Sequence, residues 1–401
     1  MRPRSNAAVR APWGRVALSF EAFAMFRIAR VRPIVRMPRP SRWARWARWI
    51  FASAPLLLQL CACGGALAAA GPGPMRRIGV PGEALRSFDI GFARDGLYAF
   101  ADRSNSGVDL IDTRSLRFVG RIGGFAGARE AGEGGPNGVL LVGADQVWAG
   151  DGGSRVRIAD LATRRIVATV STGGVKRVDE MALDARDHLV VAANNADEPP
   201  FVSFISTRPP YRLLGRVVLE RATHGLEQPL WDARTGRVYV SVPELDGRPA
   251  LGGVAVIDPR TRTLVGTWTV DRCMPGGLAL GPKGRLLVGC SDDAVAAGFG
   301  ARSLLLDPTS GKVLRTYREV GGSDEVWYDP ASGRFLLAAV AEPGGSVLGV
   351  IDARSGRWLR NLRTGAHAHS VAADPVNGRA FIPVAAGDPS CKRGCVEEFG
   401  R

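Results

Sequence analysis

The residues with the most chemistry to offer recur at one place in a repeated pattern. Seven short β-type runs begin at Ile90, Val139, Met181, Pro229, Leu278, Val326 and Val371. Each follows a pair of residues: Phe88/Asp89, Asn137/Gly138, Asp179/Glu180, Glu227/Gln228, Gly276/Gly277, Asp324/Glu325 and His369/Ser370. Carboxylates, amides and an imidazole brought together from several strands could bind a divalent cation through oxygen, or a cationic or polyhydroxyl ligand. The candidate ligand-binding residues are therefore Asn137, Asp179, Glu180, Glu227, Gln228, Asp324, Glu325 and His369. For a divalent cation, which no motif in the chain requires, the candidates are Glu180, Asp324 and Glu325. The competing expectation is that these positions are solvated, or tie neighbouring units together through backbone N–H groups. For any one pair that is the default. His224 and His367 lie in connectors of the same kind, whereas His188 falls in a turn at the opposite end.

Whether the pairs converge depends on the elements that carry them. Residues 323–360, SDEVWYDPASGRFLLAAVAEPGGSVLGVIDARSGRWLR, show the unit: four runs rich in Val, Leu and aromatics, bounded by Gly, Pro, Asp and Ser turns. The end of the third run and its hairpin into the fourth recur six times. The copies are DLIDTRSLRFVG, RIADLATRRIVA, VSFISTRPPYRLLG, VAVIDPRTRTLVG, LLLDPTSGKVLR and LGVIDARSGRWLR. Their turn aspartates Asp112 and Asp160 are 48 residues apart, Asp258 and Asp307 49, and Asp307 and Asp352 45. That period suits a four-stranded propeller blade, and a sandwich or two smaller β-domains would not produce it. Asp suits the turn because its carboxylate accepts from turn N–H groups, a structural role.

Seven unit starts face only six complete ends. The strand-like segment MRRIGV, residues 75–80, has no unit of its own and is expected to complete the last one. The expected fold is all-β: one seven-bladed β-propeller of four-stranded blades over residues 74–401, its ring closed by the N-terminal strand. In that fold the seven pairs stand at one mouth of the central channel. The loops joining second to third strands, including 102–107, 194–200, 244–252 and 292–302, open on the same face. Asn194 and Asn195 read more readily as turn caps than as ligands. The Gly-rich stretch 120–135 reads as a long exposed connector, because it lacks the spacing and helix of a phosphate loop.

The repeats, with VID or LLD ending a strand before a turn, and the closing run HSVAADPVNGRAFIPV, resemble the bacterial YncE-like (YVTN-repeat) seven-bladed propellers. The resemblance covers roughly the whole chain after the leader. It implies a non-catalytic exported propeller that binds a protein or small ligand at its funnel face. The chain departs from the pattern in lacking the literal YVTN string. Haem-bearing propellers of related shape offer no matching haem ligands here. The alternative, by analogy with propeller lactonases, is a metal-assisted hydrolase using Glu180, Asp324, Glu325 and Asn137 as a cage. No Gly-x-Ser-x-Gly elbow supports serine hydrolysis.

Charge and cysteines set the compartment. Residues 1–73 hold twelve Arg, no Lys and one acid, so +11 of the formal +15 lies there and +4 remains for the rest. The case for a nucleic-acid partner goes with the leader. That leader has a basic segment at 39–48, an apolar segment at 49–60 and small residues at 61–70. Met37 is a second candidate start. Leu60-Cys61-Ala62-Cys63 resembles a lipobox that would make Cys63 lipid-bearing, while Ala66-Leu67-Ala68 fits ordinary signal peptidase. The chain is therefore expected to be exported, periplasmic or outer-membrane-associated. Any membrane contact would be through the lipid anchor alone, and the protein is expected to be monomeric. The spacing of the other cysteines favours two local disulfides, Cys273 with Cys290 and Cys391 with Cys395, over a zinc site.

Overall fold

The computed structural model describes residues 76–130 and 132–400. The expected leader, with Cys63, lies outside the described residues. Within them, twenty-eight strands form seven separate four-stranded sheets. Six sheets are meanders of four consecutive strands. The seventh combines Ala372–Asp374, Arg379–Val384 and Cys395–Phe399 with Arg76–Gly79 as its outermost strand. Arg76 lies opposite Glu398 and Gly79 opposite Cys395 in that antiparallel pair. The chain is thus a seven-bladed β-propeller closed by its first strand, which gives the edge of Cys395–Phe399 the partner it would otherwise lack.

Seven apolar clusters hold the ring, one at each interface between neighbouring blades. Strand alternation explains how one strand serves two interfaces. In Arg237–Val242 of blade 4, Val238, Val240 and Val242 face blade 3, while Tyr239 faces blade 5. Second strands are therefore apolar almost throughout rather than alternating. The interface that closes the ring is packed like the others: Tyr98 of blade 1 stacks on Phe381 of blade 7 at 5.0 Å between centroids. Asp374 of blade 7 accepts from Thr113 Oγ1 (2.5 Å) and Gly96 N (3.1 Å) of blade 1.

The recurring turn aspartates do what their position predicts. Asp112, Asp160, Asp258, Asp307 and Asp352 each accept from a turn N–H, at 2.6, 2.7, 2.9, 2.7 and 2.7 Å. In all six copies the pairing of third and fourth strands shifts register next to the repeated apolar residues. Such a bulge adds twist, which splays the outer strands of a blade. Cys273 is bonded to Cys290, and Cys391 to Cys395.

Two loops differ from expectation. Residues 120–123 continue the fourth strand Arg117–Gly123, and the connector beyond is pinned rather than exposed throughout. Phe125, Gly134 and Gly135 are buried, and Ala126 N donates to Asp151 Oδ1 at 3.0 Å. The 292–302 loop contains a short helix, Asp292–Ala296, because Ser291 caps it by accepting from Ala294 N. Among the described residues no helix is long and apolar enough to cross a membrane.

Candidate functional site at the channel mouth

In blades 1 to 4 the residue pair extends the innermost strand by one more link to the second strand. Asp89, Asn137, Asp179 and Glu227 donate their N–H to Ala101, Gly150, Ala193 and Ser241 at 2.8–3.0 Å. In blades 5 and 6 the pairs lie inside Pro275–Leu280 and Ser323–Asp329, at register shifts between Pro275 and Leu278 and between Ser323 and Val326. A bulge at a strand start re-aims the side chains it carries.

The polar members form one network across blades 1, 2, 3 and 7. Arg103, from the loop after Leu97–Asp102, is ion-paired to Asp89. It also donates to Asn137 Oδ1 through Nε (3.0 Å) and a terminal nitrogen (2.6 Å). His369 approaches Asp89 Oδ1 at 3.6 Å through Nε2 and stacks on Phe88 with centroids 4.6 Å apart and planes 7° off parallel. Arg177 donates to Asp179 Oδ2 at 2.8 Å and to Asn195 Oδ1 at 3.4 Å, and Asn195 in turn donates to Asp179. Asn195 therefore belongs to the mouth. Asn194 instead ties strands inside the ring through Ser154, Thr172 and Ser203.

Charge at the mouth is unevenly matched. Burial raises the Asp89 carboxyl, but Arg103, His369 and Arg177 more than reverse this and bring it down to about 2. Burial pulls the His369 imidazole down, and Asp89, Asp324 and the His367 carbonyl outweigh it, holding the group up at about 9. Burial raises Asp179 despite Arg177. Burial, reinforced by neighbouring carboxylates, pushes Asp324 up to about 7 and Glu180, Glu227 and Glu325 well above their ordinary range. Glu227 and Asp324 are both partly exposed, and neither has a hydrogen bond or salt bridge among the influences on it.

The second member of several pairs links one blade to the next. Gln228 Oε1 accepts from Leu278 N at 2.7 Å. Glu325 Oε2 accepts from Val371 N (2.7 Å) and Ser370 Oγ (2.8 Å), and Ser370 Oγ accepts from Gly91 N (3.1 Å). Asn137, a first member, does the same in blade 2, where its Nδ2 donates to Val178 O at 2.7 Å. Where the second member is glycine, backbone replaces the side chain. A Cβ on Gly138 would stand 2.5 Å from Glu180 Cα and 2.8 Å from Asp179 O, and one on Gly277 would stand 2.7 Å from Asp324 O. Each acidic doublet thus sits against a glycine of the preceding blade. Gly138→Ala is expected to cost about 1–3 kcal/mol, the usual range for overpacking. Gly266→Ala, whose Cβ would enter open space, should change stability by no more than about 0.5 kcal/mol. Urea unfolding of the two variants checks this.

Among the described residues no group of three or more His, Cys, Asp or Glu is disposed to hold a metal ion. Glu180, Asp324 and Glu325 act on one another electrostatically, but one oxygen of Glu325 is committed to blade 7. His224 is exposed and meets Asp293 at 3.1 Å on the rim, and His188 occupies the turn after Met181–Asp184. Arg103 and Arg177 are absent from the sequence-based candidates, although signals for both exist. Arg177 precedes Asp179 by two, close enough along the chain for its guanidinium to reach that carboxylate. Arg103 follows a hairpin whose register returns the chain to Asp89.

No protein-family model matches the chain, and no curated protein matches it. Solved structures do match, 1568 chains in all, which marks a widespread fold rather than one activity. One is a chain of the "Crystal Structure of Mitotic Checkpoint Complex", with a TM-score of 0.62 and 13% identity, covering 87% of this chain and 99% of that one. The class is thereby the seven-bladed β-propeller, a fold that commonly serves protein interaction.

Proposed function

We propose that the protein is a binding module whose channel mouth takes a basic side chain, Lys or Arg, presented by a partner protein. One observation carries this: the mouth's cations are already engaged, Arg103 and His369 by Asp89 and Arg177 by Asp179. Glu227 and Asp324, from blades 4 and 6, stand there partly exposed with no salt bridge or hydrogen bond of their own, reached by Arg177 and His369 only at longer range. A cation seated between them would relieve their repulsion and supply the donors they lack. The fold's general use as an interaction module supports the reading, as does the resemblance to YncE-like propellers. The basic and apolar leader supports an exported setting, periplasmic or at the outer membrane.

Calorimetric titration with tetralysine, and with tetraglutamate as control, tests it. Tetralysine is expected to bind, and to bind less tightly as salt rises. Glu227→Gln with Asp324→Asn should weaken binding about tenfold or more. Equal binding by the native protein and the double variant contradicts the reading. A divalent cation that raised thermal stability through Asp324 and Glu180 would favour the lactonase-like alternative instead.

A further inference from the structure

Behind the mouth the channel widens into a cavity of about 670 Å³ lined by the inner strands of blades 1 to 6. Its walls are largely apolar, with Phe92, Leu140, Met181, Leu230, Trp231 and Trp327 among them. On the side of blade 7, Phe92 and Trp327 meet edge to face at 5.1 Å. Three carboxyl groups line the cavity: Glu180 and Glu325, with 5% and 1% of their surface exposed, and Asp232 at the turn end, which is already engaged by Arg234 and Thr235.

Neither glutamate is satisfied by the protein. Glu325 uses Oε2 for blade 7, and its Oε1 is buried without a partner. Glu180 is acted on by burial and by the carboxylates of Glu325, Asp179, Glu227 and Asp324, with no hydrogen bond among those influences. The sequence explains why. In blades 4 and 6 the equivalent side chains, Gln228 and Glu325, accept the N–H of the residue that follows the next blade's pair, Leu278 and Val371. For Glu180 the corresponding residue is Pro229, which has no N–H to give. An unmet buried carboxyl is costly, and an apolar chamber is a poor place for one unless something enters to meet it.

We infer that the cavity is a second binding site, for an apolar molecule carrying a primary amine whose ammonium sits between Glu180 and Glu325. An ammonium has three N–H donors; both oxygens of Glu180 accept no hydrogen bond from the protein, and Glu325 Oε1, buried without a partner, supplies the third acceptor when its side chain turns toward the ligand. The strongest charges acting on Glu180 are those of carboxylates, which suits a cation and opposes a carboxylate ligand. The alkyl or aryl body then lies along the Leu, Met and Trp walls. When the site is empty, burial and neighbouring carboxylates raise both carboxyls, with the hydrogen bonds from Ser370 and Val371 opposing this at Glu325. A seated ammonium draws them back down, so protons leave as it binds.

Titrating the full chain with octylamine, hexylamine, butylamine, octanol and octanoate tests this. Affinity should fall about three- to fourfold for each methylene removed, and octanol should bind about 10- to 100-fold more weakly than octylamine. Octanoate should not bind. Octylamine binding should release protons, read as a heat that varies with the buffer's ionisation enthalpy. Glu180→Gln should erase the preference for amine over alcohol. Pro229→Ala, which restores an N–H for Glu180, should weaken octylamine several-fold, and Leu230→Trp should block all the alkyl ligands. Tetralysine binding should survive Leu230→Trp, so that failure here and failure at the mouth are read separately. Equal affinity for octanol and octylamine in the native protein, or affinity independent of chain length, overturns the inference.

Discussion

Arg103→Met should destabilise the folded protein by about 3–5 kcal/mol, the cost of stripping a buried carboxylate of its partner. Arg103 is 15% exposed and Asp89 11%, so water cannot replace what is lost. The same change frees the Asn137 carbonyl oxygen that Arg103 holds. His369 stays beside Asp89 and places the loss toward the lower end of the range. Asp89→Asn added to Arg103→Met should recover part of it, because the group left behind is then neutral. A double-mutant cycle by urea unfolding measures the coupling. If Arg103→Met lost less than about 0.5 kcal/mol, the level of an ordinary surface change, the Arg103, Asp89 and Asn137 network would not be holding the mouth.

Stability should fall as pH rises from about 4 to about 9, Asp324 contributing over the lower part of that range and His369 over the upper. His369 keeps its proton to about pH 9 in the folded protein against an ordinary 6.5. Its stabilisation is therefore complete below pH 6.5 and is lost as pH climbs through 9, a change of about 3 kcal/mol at most. Asp324 acts in the same sense over a lower window. Its carboxyl is raised from 3.8 to about 7, so the folded state is favoured below pH 3.8 and loses that advantage on the way to 7. Asp89 acts oppositely: lowered to about 2, it stabilises above pH 3.8 and ceases to as pH falls through 2. His369→Gln should flatten the curve between pH 6.5 and 9. It should also extend the Asp324 limb to higher pH, since Asp324 loses a neighbouring cation. Denaturant midpoints at pH 5, 7 and 9 for both proteins give the comparison, and an unchanged slope above pH 6.5 in His369→Gln would exclude the histidine as its source.

The fold was legible because the repeat is written in residues with one job each. Asp112 and its counterparts cap the same turn in successive blades, and the unmatched strand at Arg76–Gly79 pairs where the count of units required. Laying the units side by side also located the mouth. What the pattern could not give was how each side chain at the mouth is used. Gln228 and Glu325 look like free ligands in sequence, yet both are drawn to the N–H groups of the next blade. Glu180 holds the same position, and only the absence of an N–H on Pro229 separates it from them. Arg103 and Arg177 were passed over because the repeats do not share them, although each stands near an aspartate of the mouth along the chain or across a hairpin. The cavity was hidden for another reason. Trp231 and Trp327 fall within strands, where packing is the default, and only the radius of the assembled ring leaves space beside them.

Carbodiimide-driven labelling of carboxylates, read by mass spectrometry with and without tetralysine, tests the binding role of the mouth most directly. Tetralysine should shield Glu227 and Asp324 and leave Asp95 and Asp145, exposed in turns at the opposite end of the blades, labelled as before. Shielding of Asp95 and Asp145 with Glu227 and Asp324 unchanged would contradict it.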